Sequence, residues 1–196
     1  MKTTILFFMT FFLLASCSKD NPISSQLPPE TQTGANTFGV TINGKVYIPR
    51  DPTGFSTFPS SKGMIFWLAP DDISWNELEI KDGASAIGFN LWIHIQNLKT
   101  LGVGKYVLHN SNFHNSIDST PFNHIYFEIW NSSLSNYVYY GSVENQGEIN
   151  ITKNSNYITS GNFKGKFVRY DNPNEFITIT DGRFDIGPGL HDKVFP

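Results

Sequence analysis

A strict alternation of apolar and polar residues over residues 86–96 constrains the fold of this chain more than any other feature. One face of the segment carries Ile87, Phe89, Leu91, Ile93 and Ile95, and the other carries Asn90, Trp92, His94 and Gln96. Alternate side chains of a β-strand point to opposite faces, so the pattern predicts a strand whose aliphatic face lies in the core. Segment 124–130 repeats it, with Ile125, Phe127 and Ile129 opposite His124, Tyr126, Glu128 and Trp130.

The rest of the chain predicts an all-β fold. Asn43-Gly44 separates the apolar segments 37–42 and 45–48, and this dipeptide favours a type I′ hairpin turn. Further strands are predicted at 64–68, 105–108, 125–130, 137–142, 148–153, 158–170 and 176–186. Segment 71–82 contains a helix capping box at Ser74–Glu77, but its alternation favours a strand. We therefore expect an antiparallel β-sandwich or flattened β-barrel of roughly 9 to 11 strands with little or no helix.

The N-terminus has the pattern of an export signal. Lys2 precedes the apolar segment 5–14, which is shorter than the roughly 20 residues of a membrane span, and Leu14-Ala15-Ser16-Cys17 follows. This pattern resembles the lipobox of bacterial lipoproteins. The resemblance implies removal of residues 1–16, lipid modification of Cys17 with palmitate-type chains, and anchoring in the cell envelope. We expect an outer-membrane lipoprotein facing the periplasm or the cell surface. Cys17 is the only cysteine, so no intrachain disulfide can form.

Composition divides the mature chain into three parts. Residues 17–36 hold Pro22, Pro28 and Pro29 among polar residues, and they are predicted to form a flexible linker after the acylated cysteine. Residues 37–186 are predicted to form a single β domain, and residues 187–196 a loose C-terminal tail.

Two terminal motifs carry a further resemblance. Asn36-Thr37-Phe38-Gly39 with Asn43-Gly44-Lys45, and the C-terminal segment 179–186 (ITDGRFDI), resemble an uncharacterised family of Bacteroidota lipoproteins with a domain of unknown function. Segment 27–34 (LPPETQTG) is similar to that family too. The resemblance implies an all-β lipoprotein and brings no catalytic residues. From the residues themselves, Asp181-Gly182 predicts a turn or bulge, with Arg183 and Asp185 on one face.

The charge balance argues against nucleic acid as a partner. Without residues 1–16, which contain Lys2 and no acid, 13 basic residues face 17 acidic ones, a formal charge of −4. The lysines are scattered singly, which is typical of a solvated surface and not of a phosphate-binding patch.

The polar faces of the two alternating strands are the candidate ligand-binding surface. If the strands are neighbours in one sheet, their side chains form one platform, which consists of Asn90, Trp92, His94, Gln96, Tyr126, Glu128 and Trp130. Aromatic rings beside amides suit a sugar or a peptide. Two alternatives stay open: a crossing loop covers these rings, or the same face lines the inside of a barrel.

No sequence motif selects a reaction. Nucleophile elbows and zinc-protease motifs are missing, and no catalytic residue, metal or cofactor is predicted. His109, His114, His124 and Asp118 match no metal-ligand spacing, and Asp71-Asp72 lacks the spacing of a calcium loop. The leading hypothesis is a non-enzymatic lipid-anchored β domain that binds a glycan, a peptide or another envelope protein. The alternatives are an envelope glycan hydrolase using Glu77, Glu79 and Glu128 as paired carboxylates, and a purely structural surface lipoprotein.

Overall fold

The structure, a computed structural model, describes residues 26–53, 62–68, 74–85 and 87–196. Ten strands make up most of this part of the chain, which confirms the all-β prediction. They are β1 (Thr37–Ile42), β2 (Lys45–Tyr47), β3 (Met64–Leu68), β4 (Trp75–Lys81), β5 (Phe89–Gln96), β6 (Gly104–Val107), β7 (His124–Asn131), β8 (Asn136–Ser155), β9 (Ile158–Arg169) and β10 (Asn172–Ile186). Cys17 and Asp71-Asp72 lie outside the described residues.

In the described part of the chain, helix is confined to three short segments. One α-helical turn spans Leu98–Leu101, and 3₁₀ turns span Ser116–Asp118 and Leu190–Asp192. The described part of the chain has no helix of the length and apolarity that a membrane crossing requires. Segment 75–81 is a strand, so its alternation outweighs the capping box, as predicted.

All ten strands belong to one curled antiparallel sheet, a half-barrel. The strand order is β2-β1-β10-β9-β8-β7-β5-β4-β3, and β6 pairs with β8 outside this path. Strand β8 is long enough to pair along one edge first with β7 and then with β6. The separate strands predicted at 137–142 and 148–153 are therefore one strand, irregular in its pairing with β9 between Ser142 and Gly147.

The concave face of the sheet holds the core. Phe89, Leu91, Ile93 and Ile95 of β5 are at most 1% exposed, as their alternation predicts. The ring of Phe127 on β7 packs among aromatic neighbours at centroid distances of 5.3 to 6.2 Å. Ile87 was predicted to share this face, but it is 53% exposed because β5 begins only at Phe89.

An ion pair joins the edge strand β2 to β4, the strand next to the opposite edge of the curled sheet. The Arg50 guanidinium, just after β2, donates two hydrogen bonds of 2.6 and 2.7 Å to the carboxylate of Asp82, just after β4. Backbone bonds from Arg50 N to Lys81 O and from Gly83 N to Arg50 O accompany it. Both side chains are less than one-fifth exposed, so this bidentate pair holds the ends of β2 and β4 together.

The predicted linker joins the domain earlier than residue 36. Residues 27–36, here called the strap, lie on the outer face of β1 and β10. Asp185 of β10 accepts hydrogen bonds from Thr31 Oγ1 (2.6 Å) and from the backbone N–H groups of Thr33, Gly34 and Ala35 (3.0 to 3.1 Å). This network fixes the strap, so only the part before it can act as a linker.

The C-terminal tail also packs against the domain instead of hanging loose. Phe195 is 5% exposed and belongs to the core cluster, and its N–H donates to the Asp51 carboxylate at 3.1 Å. At its start, Gly187 N donates to Asn36 Oδ1 of the strap at 2.8 Å. The tail therefore connects the strap with the region of Asp51, and the prediction of a free tail was wrong.

Candidate functional site

The structure brings the predicted platform together on the convex face of the sheet. Strands β5 and β7 are antiparallel neighbours, and their register places Asn90 beside Glu128 and Trp92 beside Tyr126. The Asn90 amide donates to the Glu128 carboxylate. The Trp92 and Tyr126 rings stack with centroids 4.7 Å apart. Trp130 lies further along β7, half-buried and edge-on to Tyr137.

The middle of this platform is covered. Residues 109–123, here called the covering segment, cross over His94, His124 and Tyr126, which are 1%, 0% and 6% exposed. Ser111 Oγ and Ser119 Oγ lie 2.8 and 2.6 Å from the two ring nitrogens of His124. The covering segment is the crossing loop that the sequence allowed as an alternative. Because it buries the middle of the platform, a ligand could reach only the margins.

The buried groups under the covering segment form a polar cluster. Glu77 Oε2 lies 3.1 Å from His94 Nδ1 and accepts the Ser116 N–H at 3.0 Å. Gln96 Nε2 lies 2.9 Å from His94 Nε2. Burial, and secondarily the neighbouring His94, lower the pKa of His124 to about 3, while burial and then nearby carboxylates raise the pKa of Tyr126. His124 is therefore neutral at physiological pH and a weak base, which makes it unsuited to activate Ser119.

The carboxylates considered for glycan hydrolysis do not converge on an open site. Glu77 is 2% exposed beneath the covering segment. Glu79 is 9% exposed, accepts a 3.2 Å hydrogen bond from Trp67 Nε1 and pairs with Lys81 at 2.8 Å. Glu128 is bound to Asn90. A two-carboxylate mechanism needs two groups facing a sugar ring, and this arrangement does not favour it.

The loop histidines have separate environments. His109 Nδ1 lies 2.8 Å from the Glu144 carboxylate, whereas His114 is exposed and His124 is enclosed by serines. Within residues 26–53, 62–68, 74–85 and 87–196, no group of three or more His, Cys, Asp or Glu side chains is arranged to hold a metal ion.

A large cavity lies elsewhere, at one end of the half-barrel. Here β3, β8 and β10 end and β4 and β9 begin, and we call this the mouth end. A cleft of about 950 Å³, the mouth cleft, opens between β3 on one side and residues 186–191 on the other. All five residues of β3 line it, so the cleft follows the edge of this strand and not one face only.

The lining of the mouth cleft combines aromatic, aliphatic and amide side chains. Its rings include Phe66, Trp67, Trp75 and Tyr157, and its amides are Asn76, Asn97 and Asn154. Among the described residues that line it there is no Asp or Glu, so they supply no carboxylate for acid–base chemistry. Local sequence patterns do not indicate this cleft, because the segments that form it are far apart in the chain.

Tyr157 is unusual among the cleft residues. It occupies the β8–β9 turn with φ +60° after Asn156 with φ +54°, and its side chain is 93% exposed. Positive φ at two successive residues is the pattern of a type I′ turn, where Gly is normal at the second position. The left-handed conformation costs roughly 1–2 kcal/mol for a non-glycine residue. An exposed ring kept at a strained position beside a cleft is a candidate ligand contact.

Comparison of the chain with models of protein families, with curated proteins and with solved structures gives no match in any of the three. The likeness to a Bacteroidota lipoprotein family therefore stays a prediction from sequence motifs, and the function must be argued from the geometry of the chain itself.

Proposed function

We propose that this protein is a lipid-anchored binding protein of the outer membrane that holds a ligand in the mouth cleft without converting it. The mouth cleft is the observation that supports this proposal. Its volume, about 950 Å³, lies in the range of small-molecule and short oligomer sites, and its lining is mostly apolar with a few amide groups. The anchor is the predicted acylation of Cys17.

The ligand class that this lining suits is a glycan or a short extended peptide. Trp67 is 46% exposed and Tyr157 is 93% exposed, so both rings can stack against an apolar surface of a ligand. The amide of Asn97 is exposed and can both donate and accept a hydrogen bond with ligand hydroxyl or peptide groups. The amide of Asn154 already donates to Leu98 O and accepts from Thr159 Oγ1, and Asn76 is 9% exposed. A cleft of this composition supports recognition, and the described residues that line it include no pair of carboxylates of the kind that glycan hydrolysis requires.

A screen of glycans and peptides against the mature chain carrying Cys17→Ser tests this proposal. For a ligand so found, Trp67→Ala and Tyr157→Ala should each weaken binding roughly 2- to 10-fold, the range expected for loss of one aromatic contact. Tyr170→Ala is the matched control, because Tyr170 is 69% exposed and lies in the turn at the opposite end.

Three results would contradict the proposal. One is release of product from a glycan or peptide. Another is binding that depends on Trp92 and Trp130, which would return the site to the convex platform. The third is a screen in which the folded domain retains no ligand, which would favour a structural role.

A further inference from the structure

We propose that the mouth end of the domain is a membrane-contact surface and rests on the bilayer in which the chain is anchored. This inference depends on the lipid anchor of the proposed function but not on which ligand the cleft holds. Two independent observations lead to it: the side chains exposed at this end, and the place where the strap meets the sheet.

The mouth end exposes large apolar side chains from three separate segments. Leu68 at the end of β3 is 72% exposed, Leu101 after β5 is 63% exposed, and Tyr157 in the β8–β9 turn is 93% exposed. Val103 and Trp67 at the same end are 61% and 46% exposed. Leu with Trp and Tyr is the combination that settles at the headgroup level of a bilayer.

Exposed apolar residues also occur at the opposite end, so exposure alone does not decide the orientation. Leu134 is 52% exposed in the β7–β8 turn and Tyr170 is 69% exposed in the β9–β10 turn. The attachment of the strap distinguishes the two ends, because it determines which of them the anchor can bring to the bilayer.

The strap meets the sheet near the mouth end. Arg183 Nη1 donates to Pro28 O at 3.2 Å, and the strap then continues to Gly34, which lies against Gly187 at the mouth. From Arg183 to the end of β10 at Ile186 is three residues, about 10 Å, whereas to its start at Asn172 is eleven residues, about 36 Å.

The length of the tether then favours the mouth end. Cys17 precedes Leu27 by ten residues, which as a flexible chain span about 17 Å on average and at most about 35 Å when fully extended. This average span exceeds the distance of about 10 Å from Arg183 to the mouth end of β10. It is less than half the distance of about 36 Å from Arg183 to the opposite end. The opposite end could reach the bilayer only with the tether stretched to its limit.

Apolar contact, not charge, carries this inference. The sequence between Leu68 and Ser74 contains Asp71 and Asp72, which lie outside the described residues. Anionic lipid is therefore not required, and vesicles of zwitterionic phosphatidylethanolamine and phosphatidylcholine are the appropriate probe. In this orientation the mouth cleft opens at the membrane surface, so it would receive its ligand there.

The test uses the full-length acylated protein reconstituted into these vesicles. Each of two variants retains a single tryptophan, either Trp67 or Trp130, and has the other three replaced by Phe. Trp67 lies at the mouth end, whereas Trp130 lies near the C-terminus of β7, at the opposite end of the domain. Lipids brominated near the headgroup quench nearby tryptophan emission. We expect Trp67 to be quenched several-fold more strongly than Trp130.

A second measurement needs no substitutions in the domain. Hydrogen exchange of the acylated wild type is compared between vesicles and detergent micelles. In vesicles, the amides of residues 98–103 and 155–158 should gain protection, whereas those of residues 132–135 and 170–172 should not. Equal quenching of both tryptophans, stronger quenching of Trp130, or protection at the opposite end would overturn the proposal. An N-terminal peptide whose Cys17 carries no lipid by mass spectrometry would also overturn it, and would leave ligand binding in the cleft untouched.

Discussion

Replacing Asp185 with Asn should detach the strap from the sheet, and the structure gives the size of the effect. The Asp185 side chain is 1% exposed, and its two oxygens accept hydrogen bonds from Thr31, Thr33, Gly34 and Ala35 in the strap and from Ser160 Oγ at 2.7 Å. An amide offers only one acceptor oxygen, and its NH₂ group would face backbone N–H groups or hydroxyls that now donate.

The lowered pKa of Asp185 gives the size of the expected loss in the free energy of unfolding. Burial alone would raise the pKa of this carboxyl, but the hydrogen bonds led by those from Thr31, Ala35 and Ser160 outweigh burial and lower the pKa from 3.8 to about 2. At about 1.4 kcal/mol per pH unit, the ionised form contributes roughly 2–3 kcal/mol to folding. We expect Asp185→Asn to lose at least this amount at pH 7, because one oxygen acceptor is lost outright.

The pH dependence provides an internal check. Because the pKa is lower in the folded state than in the unfolded chain, the stabilisation is present above pH 4 and disappears as the pH falls from about 4 to 2. The free energies of unfolding of the wild type and the variant in urea should therefore differ by roughly 2–3 kcal/mol or more at pH 7, and the difference should shrink towards pH 2. Hydrogen exchange at pH 7 should show lost protection at Thr33, Gly34 and Ala35.

Asp181→Asn is the matched control. Asp181 lies on the same strand, its side chain is 45% exposed and it pairs with Arg183, so this change should cost less than about 1 kcal/mol. The reasoning would be refuted if the two variants lost equal stability, or if the loss in Asp185→Asn were independent of pH.

Three further changes test other parts of the structure. Burial lowers the pKa of His124 from 6.5 to about 3, so this side chain stabilises the fold only while it is neutral. The free energy of unfolding should therefore fall as the pH drops below 6.5, by about 2 kcal/mol at pH 5. In urea unfolding, His124→Asn should flatten this pH dependence. Tyr157→Gly should raise the melting temperature, since Gly removes up to about 1 kcal/mol of net strain at φ +60°, and an unchanged or lower value would contradict this. Arg50→Ala should cost roughly 2–3 kcal/mol by leaving Asp82 unpaired, against under about 0.5 kcal/mol for Lys105→Ala, whose side chain is 68% exposed.

Local periodicity predicted the strands well because burial on one face of a sheet repeats every second residue. The alternation at Phe89–Gln96 and His124–Asn131 predicted both the buried and the opposite faces of β5 and β7. The Asp181-Gly182 bulge was also predictable, and the pairing of β10 with β9 is irregular between Ile179 and Gly182. These features depend on residues close together in sequence.

The strap could not be predicted because its contacts join residues about 150 positions apart. Pro, Thr and Gln between residues 28 and 33 have the composition of a linker, and nothing local shows that a carboxylate at position 185 will bind them. The same holds for the tail, whose buried ring, Phe195, lies in a segment rich in Gly, Pro and polar residues with only Leu190 and Val194 as aliphatic side chains.

The predicted platform was only partly informative for a related reason. Alternation indicates which side chains share a face, but it does not indicate what crosses that face. The covering segment has an Asn- and Ser-rich sequence that is typical of a solvated loop, yet Ser111 and Ser119 bind the buried His124. Its polar side chains satisfy buried groups of the sheet, so composition alone misrepresents its role.

The rings of the candidate site come from other parts of the chain than the strap junction, although Ile186 of the C-terminal motif also lines the cleft. The terminal motifs form the strap junction: Asp185 binds the strap, and a side chain at Gly39 would lie only 2.5 Å from Pro28, so glycine is needed there. The rings of the mouth cleft, Trp67 and Tyr157, come from the middle of the chain and make no contact with that junction among the hydrogen bonds and ring contacts of the described residues. Changes in the cleft should therefore alter ligand choice while the strap junction and the fold persist. We therefore expect a chain that shares the terminal motifs with this one to share its strap junction, even where the rings of its mouth cleft differ.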